Sequence, residues 1–545
     1  YDLRWMRDPK YLKSYAEYWL AGPPSHKMQH QNNCWLGTLP RPQSHHYTSW
    51  MVDASEAMLK VHPDAQWRDR LLPAMEKHQQ VWDTIFKVKA PGKITDGLYK
   101  CLDMYDANEF TISTTLGLIA SEGAFSAYTA EINQEDPYKN QERWRRYFTD
   151  GKGWQLAFAE GMRSEPLVYP QPFSLKNYDT VPQPFGGNHD WYIDKDGERK
   201  KKTPNSYPNC FTVRPSLNCY MFGNYQSLGN LYSLQGNDSK AREYTQRAEK
   251  IQKQVITALW HKPAKKEDHS YYEKRGSISD PFFYSRLSGD NLYTGDVGDP
   301  LGLIRETVGY TPWYFNMLPE EESKFDIAWK QLDDEMGFKQ PFGMSTAEYR
   351  HDFFNEMSYG WNGRGWPFQN SVVYKAYANY LRNYKGRRGK ITKADRELLY
   401  YHMGQYVELH GRRRTIGEWY LPRTGGYRMP GGGDVVQSLP AMGKGFGDVQ
   451  DYFHSTFPDM LIEDLLGFQS DHERQFTIHP LLPEKAWDYF YLGDLRYHDH
   501  NIEIIWKKDW DKLKPGNQSK LIVWVDGERA AESKELTQAL KVQLP

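Results

Sequence analysis

Apolar positions recur every three or four residues from about residue 48 to about residue 468, the period of helices with one buried face. In ISTTLGLIASEGAFSAYTAEI the residues Ile112, Leu116, Ile119, Gly123, Ala127 and Ala130 share a face, and in SVVYKAYANYL so do Val373, Ala376, Tyr377, Tyr380 and Leu381. Further helices are expected at about 66–87, 138–149, 216–233, 238–260, 320–334, 391–410 and 456–467. Between them run long loops rich in Gly, Pro and aromatics, such as PQPFGGNHDWYIDKDGERKKKTPNSYPNC. Ordered loops of this length usually carry function. The basic run KDGERKKK inside that loop (195–202) reads as a solvated tip.

Beyond residue 469 the period changes to two. RQFTIHPLLP, WDYFYLGDLRYHDHNIEIIWKKDW and KLIVWVDGERAAES are β-branched and aromatic runs broken by Gly-Asp, Pro-Gly and Asp-Gly turns. This predicts a small antiparallel β-sandwich over 469–545, set apart from a helical unit over 1–468, since helices followed by strands argue against an alternating βαβ fold.

Composition narrows the chemistry. Lys and Arg number 69 against 70 Asp and Glu, so no global field gathers nucleic acid or an anionic membrane. The 19 Trp, 39 Tyr and 24 Phe sit in a chain of mean hydropathy −0.81, which favours aromatic-lined clefts of the kind that hold sugars. The four cysteines form no CxxC pair; Cys210 and Cys219 are close enough in sequence to close a small loop. No run of about 18 apolar residues is present, so no membrane-spanning helix is expected. His498 and His500 alternate as if on one side of a strand, but no third ligand has suitable spacing, and no metal or other cofactor is expected.

Three loops carry the candidate chemistry: CLDMYDANEFTIS (101–113), WNGRGWPFQNS (361–371) and GEWYLPRTGGY (417–427). The second resembles the Trp-Arg-Gly-Pro-x-Trp-Pro signature, and the third the Glu-x-Tyr-x-Pro-x-Thr-Gly loop, of inverting glycosidases related to glycoside hydrolase family 63, mannosylglycerate hydrolase and trehalase. The resemblance runs in order over most of residues 40–545. It implies an (α/α)6 toroid, with Glu418 as general base and an acid from the first loop protonating the leaving oxygen. Glu109 takes that place, with Asp106 as the alternative, because Ala107 stands where relatives carry Gly.

Inversion needs one protonated carboxyl and one carboxylate about 6.5–9.5 Å apart, with water between them and the sugar. Several residues around these loops are candidate subsite walls, those of 41–53 and Arg364 and Trp366 by the same resemblance and the others by their type and place. Arg41, His46, Trp50 and Asp53 lie in RPQSHHYTSWMVD, and Arg214 and Asn218 in NCFTVRPSLNCYMFGN. Glu306, Tyr310 and Trp313 lie in RETVGYTPWYFN, with Trp313 as a stacking platform. Trp361, Arg364, Trp366 and Tyr420 come from the two signature loops, and His454 and Asp459 from DYFHSTFPDM. Each also has an ordinary structural role open to it, as cap, packing residue or ion-pair partner.

The expected activity is exo-acting hydrolysis of a terminal, α-linked sugar from an oligo- or polysaccharide. Two rivals share the architecture. A polysaccharide lyase would use Tyr220 or His454 as base with Arg214 on the uronate, and a non-catalytic carbohydrate-binding relative would use the same cleft. A periplasmic or extracellular location is expected, with the cytoplasm as the alternative. The oligomeric state is not fixed by the sequence.

Overall fold

The computed structural model describes Lys13 and residues 49–100, 106, 108, 111, 113, 191–193, 199–201, 212–263, 280–289, 304–351, 354, 356, 361, 363–384, 390–413, 416, 417, 419–424, 456–508 and 520–545. Its longer helices are α1 (Met51–Val61), α2 (Ala65–Ile85), α3 (Pro215–Leu234), α4 (Asp238–Leu259), α5 (Pro367–Asn383) and α6 (Lys393–Arg413). The helices expected over 112–130 and 138–149 lie outside the described residues.

Each boundary has a local cause. Asp64 caps α2 by accepting from Trp67 N at 2.9 Å. Pro215 and Pro367 occupy the first turns of α3 and α5, where a missing N–H is harmless, and hold Arg214 and Trp366 before them extended. Gly236, at φ +82°, ends α3, and Asn237 then caps α4 through Lys240 N, so α3 and α4 form a tight antiparallel hairpin. Thr392 and Asp395 bond reciprocally as a capping box ahead of α6.

Three expectations are corrected within the helical part. Residues 323–332 form a 3-10 helix rather than an α-helix. The last expected helix is one α-turn, Thr456–Asp459, followed by a π-turn, Met460–Leu465. Arg199–Lys201, at the end of the basic run, is a strand paired antiparallel with Trp191–Ile193 rather than a loop tip.

Among the described residues, seven strands follow: β1 (Phe468–Ser470), β2 (Gln475–Ile478), β3 (Tyr489–Tyr497), β4 (His500–Lys507), β5 (Leu521–Val525), β6 (Glu528–Ser533) and β7 (Leu540–Gln543). They make a three-stranded antiparallel sheet in the order β7-β2-β1 and a four-stranded meander β3-β4-β5-β6. Asp526 and Gly527, both at positive φ, form the two-residue turn that Asp-Gly signals. His498 and Asp499 do the same between β3 and β4, at φ 49° and 65°. The two histidines therefore do not share a strand face: His498 Nε2 lies 2.8 Å from Lys60 O, and His500 Nδ1 lies 2.6 Å from Asp526 Oδ2.

One hydrophobic core runs through helices and strands alike. His498 N donates to Val61 O at the end of α1, and His472 Nε2 lies 2.8 Å from Glu56. Arg382 on α5 donates to the carbonyls of Glu463, Asp464 and His479, which fastens the π-turn and the strands to the helical part. Cys219 is buried against Met317, while Cys210 lies outside the described residues. No described helix is long and apolar enough to cross a membrane.

Candidate active site

Arg214 organises the first candidate loop. Held extended before Pro215, it turns its fully buried guanidinium onto Asp106 Oδ1 and Asn108 O, both at 2.8 Å, and onto Thr212 Oγ1 at 3.2 Å. Ser216, in the first turn of α3, donates to the other Asp106 oxygen. Asn108 Nδ2 closes the loop on Asp106 O at 2.7 Å. Asp106 thus has both carboxylate oxygens engaged.

The far end of the same loop is held by Glu306. Its carboxylate accepts from Ser113 N at 3.0 Å and from Ser113 Oγ at 2.6 Å. Burial pushes the Glu306 carboxyl above its ordinary range, and the Asp106 charge adds to this, while the Ser113 bonds and Arg214 pull it down.

From Glu306 a backbone ladder crosses three segments. Glu306 bridges Ala347, and Thr307 N donates to Thr346 O at 2.8 Å. Thr346 donates through N and Oγ1 to Arg364 O, at 3.0 and 2.8 Å, and its Oγ1 also reaches Trp361 O. Gly365 then exchanges two bonds of 2.9 Å with Tyr420. The three candidate loops are therefore tied together: residues 101–113 through Ser113, the Trp361–Trp366 loop, and the Trp419–Tyr420 segment. A Cβ on Gly365 would lie 2.1 Å from Tyr420 Cζ, so the close crossing needs glycine. Buried Arg305 braces the ladder by pairing with Glu348 at 2.8 Å.

Aromatic rings line the same region. The Arg364 guanidinium carbon lies 3.6 Å from the Trp419 ring centroid, and its Nε donates to Glu356 O at 3.1 Å. Trp361 stacks on Trp366 with centroids 4.6 Å apart. Trp50 stands between Tyr220 (5.2 Å) and Phe368 (6.0 Å) and so links the α3 side to the α5 side. Glu356 accepts from Arg423 N at 2.8 Å, and burial pushes its carboxyl up.

Several sequence-predicted residues take other roles. Trp313 is buried between Phe283, Tyr310 and Trp329, a packing residue and not a stacking platform. Asn218 is fully buried, with its amide bridging Tyr99 N and O and Arg214 O, so it clamps backbone rather than meeting sugar. Tyr420 is buried with its hydroxyl on Met344 and Asn370. Asp53 faces α3, where Ser227 Oγ reaches it at 3.4 Å. Arg41, His46, Glu109, Glu418 and His454 lie outside the described residues.

Sequence reading missed His410, on the last turns of α6, whose Nδ1 accepts from Gly417 N at 3.3 Å. The only signal available was a histidine seven residues before the signature loop. Ser113, Ser216, Glu356 and Arg423 were missed because their partners are distant in sequence.

Residues 1–455 match the mannosylglycerate hydrolase MGH1-like glycoside hydrolase domain, and the chain belongs to that family. Among solved structures, it shares a fold with a chain described as a sialidase, at 24% identity and a TM-score of 0.63. That match covers 98% of this chain and 35% of the other, so this chain spans about a third of that protein. The mannosylglycerate hydrolase from Thermus thermophilus in complex with glucose matches at 15% identity and a TM-score of 0.39, over 72% of this chain and 73% of the other. Neutral trehalase Nth1 from Saccharomyces cerevisiae matches at 12% identity and a TM-score of 0.35, over 74% and 62%.

Proposed function

We propose that the chain is an inverting, exo-acting glycoside hydrolase that releases a terminal α-linked sugar. In this reading Glu418 acts as general base on a water, and Glu109 protonates the departing oxygen. Residues 1–468 form an (α/α)6 toroid, 469–545 form a β-sandwich that shares its core, and the protein works in the periplasm or outside the cell. The observation that carries the reading is the ladder from Ser113 through Glu306, Thr346 and Gly365 to Tyr420. It gives the acid loop and the base loop a shared rigid frame, as two carboxyls acting at a fixed separation require.

The environment of Asp106 supports giving the acid's role to Glu109. Both Asp106 oxygens are held, by Arg214 and Ser216, so neither is available to a leaving group. Asp106 then serves to fix the loop that carries Glu109. The pairing of Arg214 with Asp106 also weighs against a lyase, which would require that guanidinium to neutralise a uronate carboxylate.

A screen of oligosaccharides and synthetic glycosides, with the first product's anomer followed by proton NMR, tests the reading. Release of a terminal sugar of inverted configuration is expected. A retained anomer overturns the mechanism, and unsaturated products absorbing in the ultraviolet would replace hydrolysis with elimination.

A further inference from the structure

We propose that the outward face of the β3-β4-β5-β6 sheet is a second carbohydrate site, a platform centred on Tyr491 that takes a neutral sugar chain away from the catalytic loops. The inference rests on the carbohydrate reading above. Alternation sends Phe490, Leu495 and Tyr497 into the core and leaves Tyr489 and Tyr491 at 64% and 58% exposure. These are the two most exposed large hydrophobic residues among those described. The two rings stand side by side on one face of the sheet.

Tyr491 does not wave in solvent. A Cβ built on Gly493 would meet Tyr491 Oη, Cζ and Cε1 at 2.4, 2.7 and 2.9 Å, so the far half of the ring lies over the bare glycine. The bulge between Leu492 and Leu495, with Asp494 at φ 59°, places Gly493 there. Glu503 fixes the same phenolic end by accepting from the hydroxyl at 3.0 Å. The phenol is thereby held in a set orientation while the residue stays more than half exposed. Tyr489 stands two residues away on the same side, about 7 Å along the strand, so neighbouring units of one sugar chain can meet both rings.

The surroundings select the ligand. Register places Lys507 beside Tyr489, and Ile505, Ile522 and Glu532 in one row with Tyr491; Trp524 and Arg529 lie beside Glu503. Two cations and two anions, Arg529 and Glu532 paired with each other, leave no net field for a charged partner. Two exposed tyrosines also fall far short of the roughly 800 Å² per partner that a stable protein interface buries. An apolar ring face bordered by hydrogen-bonding groups matches a pyranose, with its C–H face and hydroxyl rim.

Affinity electrophoresis of the full chain in gels containing α-mannan, dextran or soluble starch tests this, with hydrolysis of a short soluble glycoside measured in parallel. At least one polysaccharide is expected to retard the protein. Tyr491→Ala and Gly493→Val should each weaken that retardation by about tenfold, with short-substrate hydrolysis and circular dichroism unchanged. The proposal is overturned if no gel retards the wild type, if Tyr491→Ala is retarded equally, or if Tyr491→Ala instead abolishes self-association. Retardation without hydrolysis of any glycan would sink the catalytic reading alone, and hydrolysis without retardation would sink this one alone.

Discussion

The ladder from Glu306 to Tyr420 and the meander β3 to β6 handle polar groups in opposite ways. Around the ladder, Arg214, Arg305 and Arg364 are fully buried, each aimed at a carbonyl, a carboxylate or an aromatic ring. In the meander the inward rows are mainly apolar, with Ile502, Ile504, Trp506, Val523 and Val525, and no charged side chain is buried there among the described residues. Buried ion pairs rarely stabilise a fold more than well-packed hydrocarbon would. Their concentration around the ladder is best explained by orientation: each fixes the loop that holds a candidate catalytic carboxyl or its neighbour. The meander needs no such device, because simple alternation suffices to present a surface.

The largest expected effect tests the orienting role. Glu418→Gln should lower hydrolysis by about 10²–10⁴-fold, with thermal stability unchanged; a loss of stability in step with activity would make the residue structural. Next comes Arg214→Met, which leaves Asp106 buried without its cation and should destabilise by about 3–5 kcal/mol in urea denaturation. Arg214→Met with Asp106→Asn should recover much of that stability while activity stays low. Recovery of both together would show that the pair serves packing alone and would erase the contrast with the meander.

How much of this could be read from sequence follows from the same contrast. Features set by neighbours along the chain were legible: the helices over about 216–233 and 238–260, the strands of the meander and the Asp526-Gly527 turn. Features set by distant partners were not. Ser113 and Glu306 lie 193 residues apart, and nothing local marks either as the other's partner. Trp313 looked like a sugar platform because its type suits one, yet Tyr310, Phe283 and Trp329 enclose it. The segment 323–332 has helical spacing but winds as a 3-10 helix, a difference that apolar spacing alone does not resolve.

Two smaller effects probe the ladder and the seam below it. Gly365→Ala would drive a methyl into the Tyr420 ring, and about 1–3 kcal/mol of destabilisation is expected by calorimetry; a neutral outcome would mean that the Gly365–Tyr420 crossing yields easily. At the seam, burial pushes the Asp464 carboxyl up to about 7, against the pull of Lys375 and Arg382. A carboxyl raised in the native state is neutral in both states at low pH, and its stabilisation is lost as pH rises from about 4 through about 7. Stability relative to Asp464→Asn should therefore fall by about 1–3 kcal/mol between pH 4 and pH 8. A flat difference would mean that Asp464 is ionised throughout and satisfied by its cationic neighbours.

The smallest effect is the sharpest test of the meander's outer face. Tyr491 has its ring over Gly493 and one hydrogen bond to Glu503, with little area withdrawn from water. Removing it exposes a glycine and frees a carboxylate that is already in contact with solvent, so Tyr491→Ala should change unfolding stability by no more than about 0.5 kcal/mol. A residue kept in a fixed pose without supporting the fold is held there for what it contacts outside. If the substitution instead destabilises by about 2 kcal/mol or more, Tyr491 is part of the sheet's packing, and the outer face of the meander is a structural surface like the ladder.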